Sequence, residues 1–279
     1  QGQAPTPTGS DNTGLGVAAL SALDTGDNNV AVGRGAGNAL TSGGSNVLVG
    51  RAAGEDLIGG SSNVAIGDRA LANEISHGNN IAIGTNALTN QNSSSNAFNI
   101  AIGSGAGGQI TTGRLNTLIG GVSTGDAIDS AQANVAIGLE ALSSETSGSY
   151  NTAVGTQALR LQNGGTNPYN VAVGYQAGNA VSTGVENTII GGLAALNVVL
   201  TGDNNTIIGF NTSPSAASAS NEITIGNINQ DRLRLPGSLP AFADDVAAGA
   251  GGILTNMLYQ TDGAGAAPLN VAGIVMIKQ

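Results

Sequence analysis

The chain alternates short apolar triplets with longer polar turns, and the pattern recurs with spacings of 17, 18 or 19 residues. Each unit begins with an Asn and reaches a Gly four positions later, with Val, Ile or Leu directly before the Gly. The consensus is N-[VIT]-[AGLI]-[VIL]-G-x-x-A. Its Asn residues are Asn12, Asn29, Asn46, Asn63, Asn80, Asn99, Asn116, Asn134, Asn151, Asn170, Asn187 and Asn205. Its Gly residues are Gly16, Gly33, Gly50, Gly67, Gly84, Gly103, Gly120, Gly138, Gly155, Gly174, Gly191 and Gly209.

A fixed period in the high teens predicts one turn of a parallel β-solenoid or β-roll, because helical hairpins and propeller blades need longer units. We therefore expect an all-β rod of about twelve coils, each holding a short strand. Alternation places Val30 and Val32 on one face of their strand and Ala31 on the other. Both faces are apolar, so one lines the coil. The other, which we assign to the small Ala, needs a second covering surface, and this predicts an oligomer.

A weaker apolar position lies about eleven residues after the Asn in several coils and predicts a second strand in each coil. It is occupied by Leu23, Leu40, Leu57, Ile110, Val181 and Val198. The segments between strands, such as residues 25–28 and 201–204, are rich in Gly, Asn and Asp, which favour turns through positive φ and side-chain-to-backbone hydrogen bonds.

The extent of the repeat divides the chain into three segments. Residues 1–11 lack the period and contain two prolines, which predicts a flexible lead-in or attachment segment. Residues 12–226 form the repeat rod. Residues 227–279 are expected to cap the rod and to close a trimer, because a solenoid must cover its last apolar layer and its open edge.

The end of the array departs from the consensus. Residues 220–227 are interpreted as the Asn repeat with one residue inserted. Within the cap, the pattern predicts a short helix at 240–248 and a β-hairpin with strands at 253–259 and 273–278. The first residue is Gln1 rather than Met, which fits removal of a signal peptide, a tag or an initiator Met, and these alternatives stay open.

Composition narrows the classes of function. The chain has 45 Gly, 3% aromatic residues, no Cys and a formal charge of −10. An acidic surface repels phosphate backbones, so we expect no nucleic-acid partner. No apolar run approaches the ~18–20 residues of a membrane span, so we expect no membrane insertion. The absence of Cys excludes a disulfide scaffold.

The recurring polar residues are interpreted as structural. Twelve Asn residues at one repeat position predict a stacked amide ladder rather than a ligand or glycan site, and the Gly predicts a sharp corner with positive φ. Acidic turns such as 26–28 lack the nonapeptide period of calcium-binding β-rolls, so we expect neither metal nor cofactor.

Candidate catalytic groups are scarce. Acidic pairs occur at 55–56, at Asp126 with Asp129, and at 244–245, and each falls in a turn or the cap, where solvated acids are the ordinary explanation. His77 is the sole histidine and is expected to be a polar turn residue. We therefore predict no catalytic residue.

Two coils are longer than the others, through residues 90–98 and 162–169. Loops on a rigid scaffold often carry binding residues. Phe98, Tyr150 and Tyr169 each stand directly before a repeat Asn, which indicates a shared structural slot and makes them candidates for receptor contact.

The N-[VIT]-x-[VI]-G-x-x-A units resemble the head repeats of trimeric autotransporter adhesins and the similar repeats of bacteriophage tail fibres and tailspikes. The resemblance covers residues 12–226 and implies a parallel β-roll assembled as a homotrimer. Residues 220–227 also resemble the junction that ends such arrays in phage fibres. Residues 242–248 and the hairpin at 258–278 resemble short C-terminal modules of phage structural proteins. No stalk heptads or membrane-anchor strands are visible, which weakens the autotransporter alternative.

Two functions follow as expectations. The first is a non-enzymatic fibre component on the virion surface, a trimeric rod that contacts other virion proteins at one end and a host receptor or glycan elsewhere. The alternative is a secreted bacterial adhesin or filament subunit at the cell surface that polymerises end to end.

Overall fold

The computed structural model describes residues 8–165 and 167–227, together with three short strands beyond residue 240. Residues 1–7 of the expected lead-in lie outside the described residues. The chain divides into two compact units, residues 1–229 and residues 230–279.

The first unit holds one parallel sheet of thirteen strands, in which each strand pairs with its neighbours in sequence. The strands are β1 (Thr13–Leu15), β2 (Val30–Val32), β3 (Val47–Val49), β4 (Val64–Ile66), β5 (Ile81–Ile83), β6 (Ile100–Ile102), β7 (Thr117–Ile119), β8 (Val135–Ile137), β9 (Thr152–Val154), β10 (Val171–Val173), β11 (Thr188–Ile190), β12 (Thr206–Ile208) and β13 (Ile223–Ile225). Equivalent residues pair directly, as Val30 does with Val47. The described residues contain no helix. The prediction of an all-β parallel solenoid is confirmed.

The sequence pattern assigns the small central residue of each strand to the outer face, and the structure shows the reverse. Ala31, at the centre of β2, points into the coil and is fully buried. The first and third residues point outward and stay partly exposed, with Val30 at 37% and Ile190 at 41%. The small residue therefore lines the interior, and the branched aliphatic pair forms the outer face.

Interior space explains why the central strand residue is usually small. In five of the twelve coils a turn leucine stands four residues after the corner Gly, as buried Leu71 does in the coil of Ala65. Leu48 replaces Ala at a strand centre, and glycine replaces the turn leucine on both sides of it. A Cβ at Gly37 would lie 2.8 Å from Leu48 Cδ1, and one at Gly54 would lie 2.9 Å from Leu48 Cδ2. Large and small residues therefore alternate at native packing density.

The predicted second strand is absent from the described coils. Leu40, Leu57 and Ile110 lie in turns and are fully buried, so the weaker apolar position marks an inward stack of side chains rather than a strand. In the coil that begins at Asn187, Leu200 is buried in place of the expected Val198.

The repeat Gly makes the corner after each strand. At Gly67 φ is +136°, and a Cβ would lie 2.5 Å from the carbonyl carbon of Gly84 in the next coil. The close stacking of successive corners thus requires glycine for space as well as for conformation.

The last coil keeps the register of the others. Ile223 pairs with Thr206, and Glu222 follows Asn205 by 17 residues and occupies the Asn position. The expectation of an inserted residue was therefore wrong, because the change is a Glu in place of Asn. Hydrogen bonds from the hydroxyls of Ser215 and Thr224 lower the pKa of the Glu222 carboxyl.

The second unit contains three described strands. β14 (Ala241–Phe242) pairs in parallel with β15 (Leu258–Thr261), which pairs antiparallel with β16 (Val275–Ile277). The helix predicted at 240–248 is wrong at residues 241 and 242, where pairing with β15 makes a strand, and residues 243–248 lie outside the described residues. β15 overlaps only the end of the strand predicted at 253–259.

Candidate functional site

The repeat Asn side chains form a continuous hydrogen-bonded ladder. Each Oδ1 accepts the backbone N–H of the equivalent residue in the next coil at 2.8–3.2 Å, from Asn12 through to the N–H of Glu222. Most Nδ2 groups donate to a turn carbonyl, as Asn134 does to Gly148 at 2.9 Å. The eleven Asn residues from Asn29 to Asn205 are buried. The ladder joins turn to strand and presents no side chain to a ligand.

Four polar residues lie in the inward stack where other coils have Leu, Ile or Val. Glu74, Gln91, Glu145 and Gln162 are all fully buried. Each Gln accepts from the Asn that starts the following coil, at 2.6 Å for Gln91 and 2.8 Å for Gln162. Sequence reasoning missed these residues, since it followed only the apolar members of the stack.

The two buried glutamates bind backbone N–H groups of their own turns. Glu145 Oε1 accepts from Gly148 at 2.6 Å, and Glu74 Oε1 accepts from His77 at 3.0 Å. His77 also brings Nδ1 to 3.5 Å from the same oxygen of Glu74. The glutamates therefore act as caps inside the solenoid.

The second pair of buried polar residues, Glu145 and Gln162, is incompletely hydrogen bonded. Glu145 Oε2, Gln162 Nε2 and Asn151 Nδ2 are buried without a hydrogen-bond partner among the described residues. Burial raises the pKa of the Glu145 carboxyl, and N–H donors led by Gly148 oppose this shift. A charged carboxylate at this position destabilises the fold.

A longer period reveals the origin of the polar stacks. Glu74 and Glu145 are 71 residues apart, and so are Gln91 and Gln162. Residues 63–133 and 134–204 are thus two copies of a four-coil block. A search of the sequence at this longer spacing would have found the buried polar residues.

The second residue after each corner Gly forms an outward column, which we call the shoulder column. Except for Val122, these residues have left-handed φ, for example +56° at Ala52 and +55° at Arg69. Over the first coils the column is small, with Ala18, Gly35 and Ala52, and then it reaches Arg69.

A depression of about 290 Å³ lies over the small part of the shoulder column, and we call it the arginine groove. Its lining includes Arg34, Arg51 and Arg69 from three consecutive coils. Asn38 and Glu55 also line it. Arg51 pairs with Asp68 at 2.7 Å. This groove concentrates positive charge on an acidic chain.

A second depression of about 370 Å³ continues from Arg69, and we call it the amide groove. Asn86, Asn90, Gln109 and Asp126 contribute to its lining. Asn90 Nδ2 donates to Gln109 Oε1 at 3.3 Å. Burial raises the pKa of the Asp126 carboxyl. Arg69 belongs to both linings, so the two grooves adjoin.

The candidate receptor residues occupy the same repeat position but do not form a single cluster. Phe98, Tyr150 and Tyr169 all have positive φ and are exposed. The Tyr150 and Tyr169 rings stack with centroids 5.1 Å apart and an interplanar angle of 7°. Phe98 stands three coils before Tyr150. Only the two tyrosines form a common surface.

The two members of each described acidic pair lie in different environments. Glu55 lines the arginine groove and Asp126 the amide groove, whereas Asp56 and Asp129 are exposed. Residues 244–245 lie outside the described residues. Across residues 8–165 and 167–227, no three His, Cys, Asp or Glu side chains gather as a metal site would require. The same residues include no helix able to span a membrane.

No protein-family model matches this chain, and neither a curated protein nor a solved structure does.

Proposed function

We propose that this protein is a non-enzymatic fibre component of a virion, a homotrimeric rod that attaches the particle to a host cell. The observation that carries the proposal is the outer face of the thirteen-stranded sheet. Its first and third strand residues are Val, Ile or Thr in almost every coil, and many stay partly exposed.

This face has the properties of a self-association surface. Thirteen parallel strands extend for about 58 Å at the usual strand spacing. A continuous apolar face of that length exceeds the patches that single soluble chains normally expose. Copies of one chain related by a rotation axis would bury these faces against each other. The resemblance to trimeric head repeats selects three copies.

The positions of the exposed grooves and aromatic residues support a role in attachment. The interior ladder is closed to ligands, and the exposed grooves and aromatic slot lie on the rigid scaffold, where binding residues are commonly carried. The proposed partners are other virion proteins at one end and a receptor or glycan on the host surface. The virion surface is accordingly the proposed location.

A bacterial adhesin or filament subunit is the second candidate, and the ends of the sheet favour it. Within the described residues, β1 pairs only with β2 and β13 only with β12. Leu15 and Ile223 in these terminal strands are strongly exposed. Unpaired edges of this kind can add strands from another molecule end to end.

Solution mass and negative-stain imaging test the proposal. We expect a uniform species near three times 27.1 kDa, seen as short rods. The double change Val47→Glu with Ile66→Glu on the outer face should yield monomers. The matched change Leu161→Glu, at an equally exposed apolar residue outside the strands, should remain trimeric.

Other outcomes are decisive. A monomeric wild-type chain would overturn the trimer, and indefinite polymers would place the filament subunit first. Attachment is measured separately, by co-sedimentation of the fluorescently labelled trimer with a panel of bacterial cells. Absence of binding across the panel would contradict the attachment role.

A further inference from the structure

We propose that the arginine groove and the amide groove together bind an acidic polysaccharide, a linear chain of carboxylate-bearing sugars. This inference rests on the proposed attachment function and specifies the chemical class of its ligand.

Charge is the first argument. The chain has a formal charge of −10, yet three of the five arginines among the described residues line the arginine groove. Arg34 and Arg69 make no side-chain ion pair or hydrogen bond among those residues, and only Arg51 is neutralised, by Asp68. Coils stack at about 4.8 Å, and like charges carried on consecutive coils repel one another. A bound anion would remove this repulsion.

The type of cation indicates the type of anion. Arginine presents a planar fork that binds a carboxylate through two parallel hydrogen bonds. Arg34 and Arg51 hold the same repeat position on successive coils, directly after the corner Gly, and Arg69 stands one position later on the next coil. A linear chain with a carboxylate on successive sugars would meet these arginines one after another.

The floor of the grooves is open. No atom lies within 4 Å of the position that a Cβ would take at Gly35 or at Gly105. Both glycines belong to the shoulder column, and both have φ of +71°. The backbone is therefore accessible along the floor on both sides of Arg69.

The walls supply groups for sugar hydroxyls. Asn38 and Glu55 face the arginine groove, and Asn90 and Gln109 face the amide groove. Amides both donate and accept hydrogen bonds, as hydroxyls do. The combination of guanidinium and amide groups suits a sugar acid better than a peptide carboxylate or a free phosphate.

The later coils provide an internal contrast. There the shoulder column carries Glu140, Gln157 and Gln176. Gln157 donates to Glu140 at 2.7 Å, and Gln176 donates to Gln157 at 2.6 Å. These side chains occupy the shoulder column with hydrogen bonds to one another. Binding should therefore map to the earlier coils.

Titration of the full chain with galacturonic acid oligomers tests the inference, with neutral maltose oligomers as the reference ligand. We expect binding of the acidic oligomers that weakens steeply with added salt, and no binding of the neutral ones. The double change Arg34→Gln with Arg69→Gln should weaken binding about tenfold or more. The matched double change Arg114→Gln with Arg160→Gln removes the same charge elsewhere and should alter affinity less than about twofold.

A second variant tests the shape of the site with every arginine retained. Gly35→Gln with Gly105→Gln installs the residue type that Gln176 supplies in the later coils, at positions with free space, and should also abolish binding. Galacturonate oligomers that fail to bind would overturn the inference. Equal affinity of the groove and control arginine variants would do the same.

Failure of the groove and failure of the fibre proposal are distinguishable on the same samples. If the trimer attaches to cells but does not bind the oligomers, only the proposal for the grooves is contradicted. A monomer that binds them contradicts only the trimeric rod.

Discussion

Residues 63–133 and residues 134–204 are two copies of one four-coil block, and they differ mainly in what they present to solvent. Each block has coils of 17, 19, 17 and 18 residues. Inside, the blocks agree closely: Glu74 matches Glu145 and Gln91 matches Gln162. Outside, Arg69 in the first block is Glu140 in the second. Interior positions are therefore restricted by packing and hydrogen bonding, while the shoulder column is free to carry different chemistry.

The buried Glu and Gln residues show that the same sequence in two blocks does not produce the same hydrogen bonds. In the first block Gln91 Nε2 donates to the carbonyl of Thr111 at 3.1 Å. In the second block Gln162 Nε2 has no partner among the described residues. His77 stands beside Glu74, whereas Gly148 stands beside Glu145. The second block thus keeps the buried carboxylate with fewer compensating contacts.

The largest expected effect should be the same in both blocks. Gly67→Ala and Gly138→Ala place a Cβ 2.5 and 2.6 Å from the carbonyl carbon of the next corner, at φ of +136° and +126°. Each should lower the free energy of unfolding by about 3 kcal/mol, measured by denaturant titration at fixed protein concentration.

Gly35→Ala is the control for conformation without a clash. Its φ is also positive, but its Cβ would meet open space, so about 1 kcal/mol is expected. A loss at Gly35 equal to that at Gly67 would show that conformation rather than close stacking makes the corner sensitive.

Much of this architecture is predictable from the sequence, because backbone requirements recur in every coil. The Asn ladder and the Gly corner are needed twelve times over, so their period identifies the parallel solenoid. The direction of Ala31 is different, since alternation separates two faces without saying which is interior. That choice depends on Leu20 and Leu48 from neighbouring coils, which fill the space beside Gly37 in the coil of Ala31.

Although Arg34, Arg51 and Arg69 hold similar repeat positions, three arginines are too few to predict a basic groove, and the repeat does not predict these grooves. Their floor depends on which shoulder residues happen to be small, and their charge depends on three arginines that the short period treats as variable positions. Only the stacking of coils brings Arg34, Arg51 and Arg69 together. The buried glutamates were obscured for the opposite reason, because a polar residue in turn sequence suggests exposure.

A smaller difference between the blocks is expected in how the free energy of unfolding depends on pH. The pKa of Glu145 is raised by burial from its ordinary value of 4.5, so the folded protein binds more protons than the unfolded chain just above that value. The free energy of unfolding should therefore rise as pH falls from 7 towards 4.5. Glu145→Gln should remove its share of this rise, while the Asp126 carboxyl of the first block, whose pKa burial also raises, retains its own share.

Glu186→Gln, an exposed carboxylate of the same block, is the matched control and should retain the wild-type pH profile. Chemical denaturation at pH 7, 6 and 5 measures all three proteins. Parallel profiles for wild type and Glu145→Gln would contradict the assignment of the pH dependence to the buried carboxylate.

The smallest effect concerns the shoulder column, where the blocks differ most. Gln157→Ala removes the side-chain hydrogen bonds to Glu140 and Gln176 and should lower the free energy of unfolding by about 1 kcal/mol. Asn86→Ala is the equivalent change in the first block. The Asn86 side chain is exposed and has no hydrogen bond among the described residues, so less than about 0.5 kcal/mol is expected. Equal losses would mean that the second block's ladder adds no stability, and the contrast between open and closed grooves would then be one of shape alone.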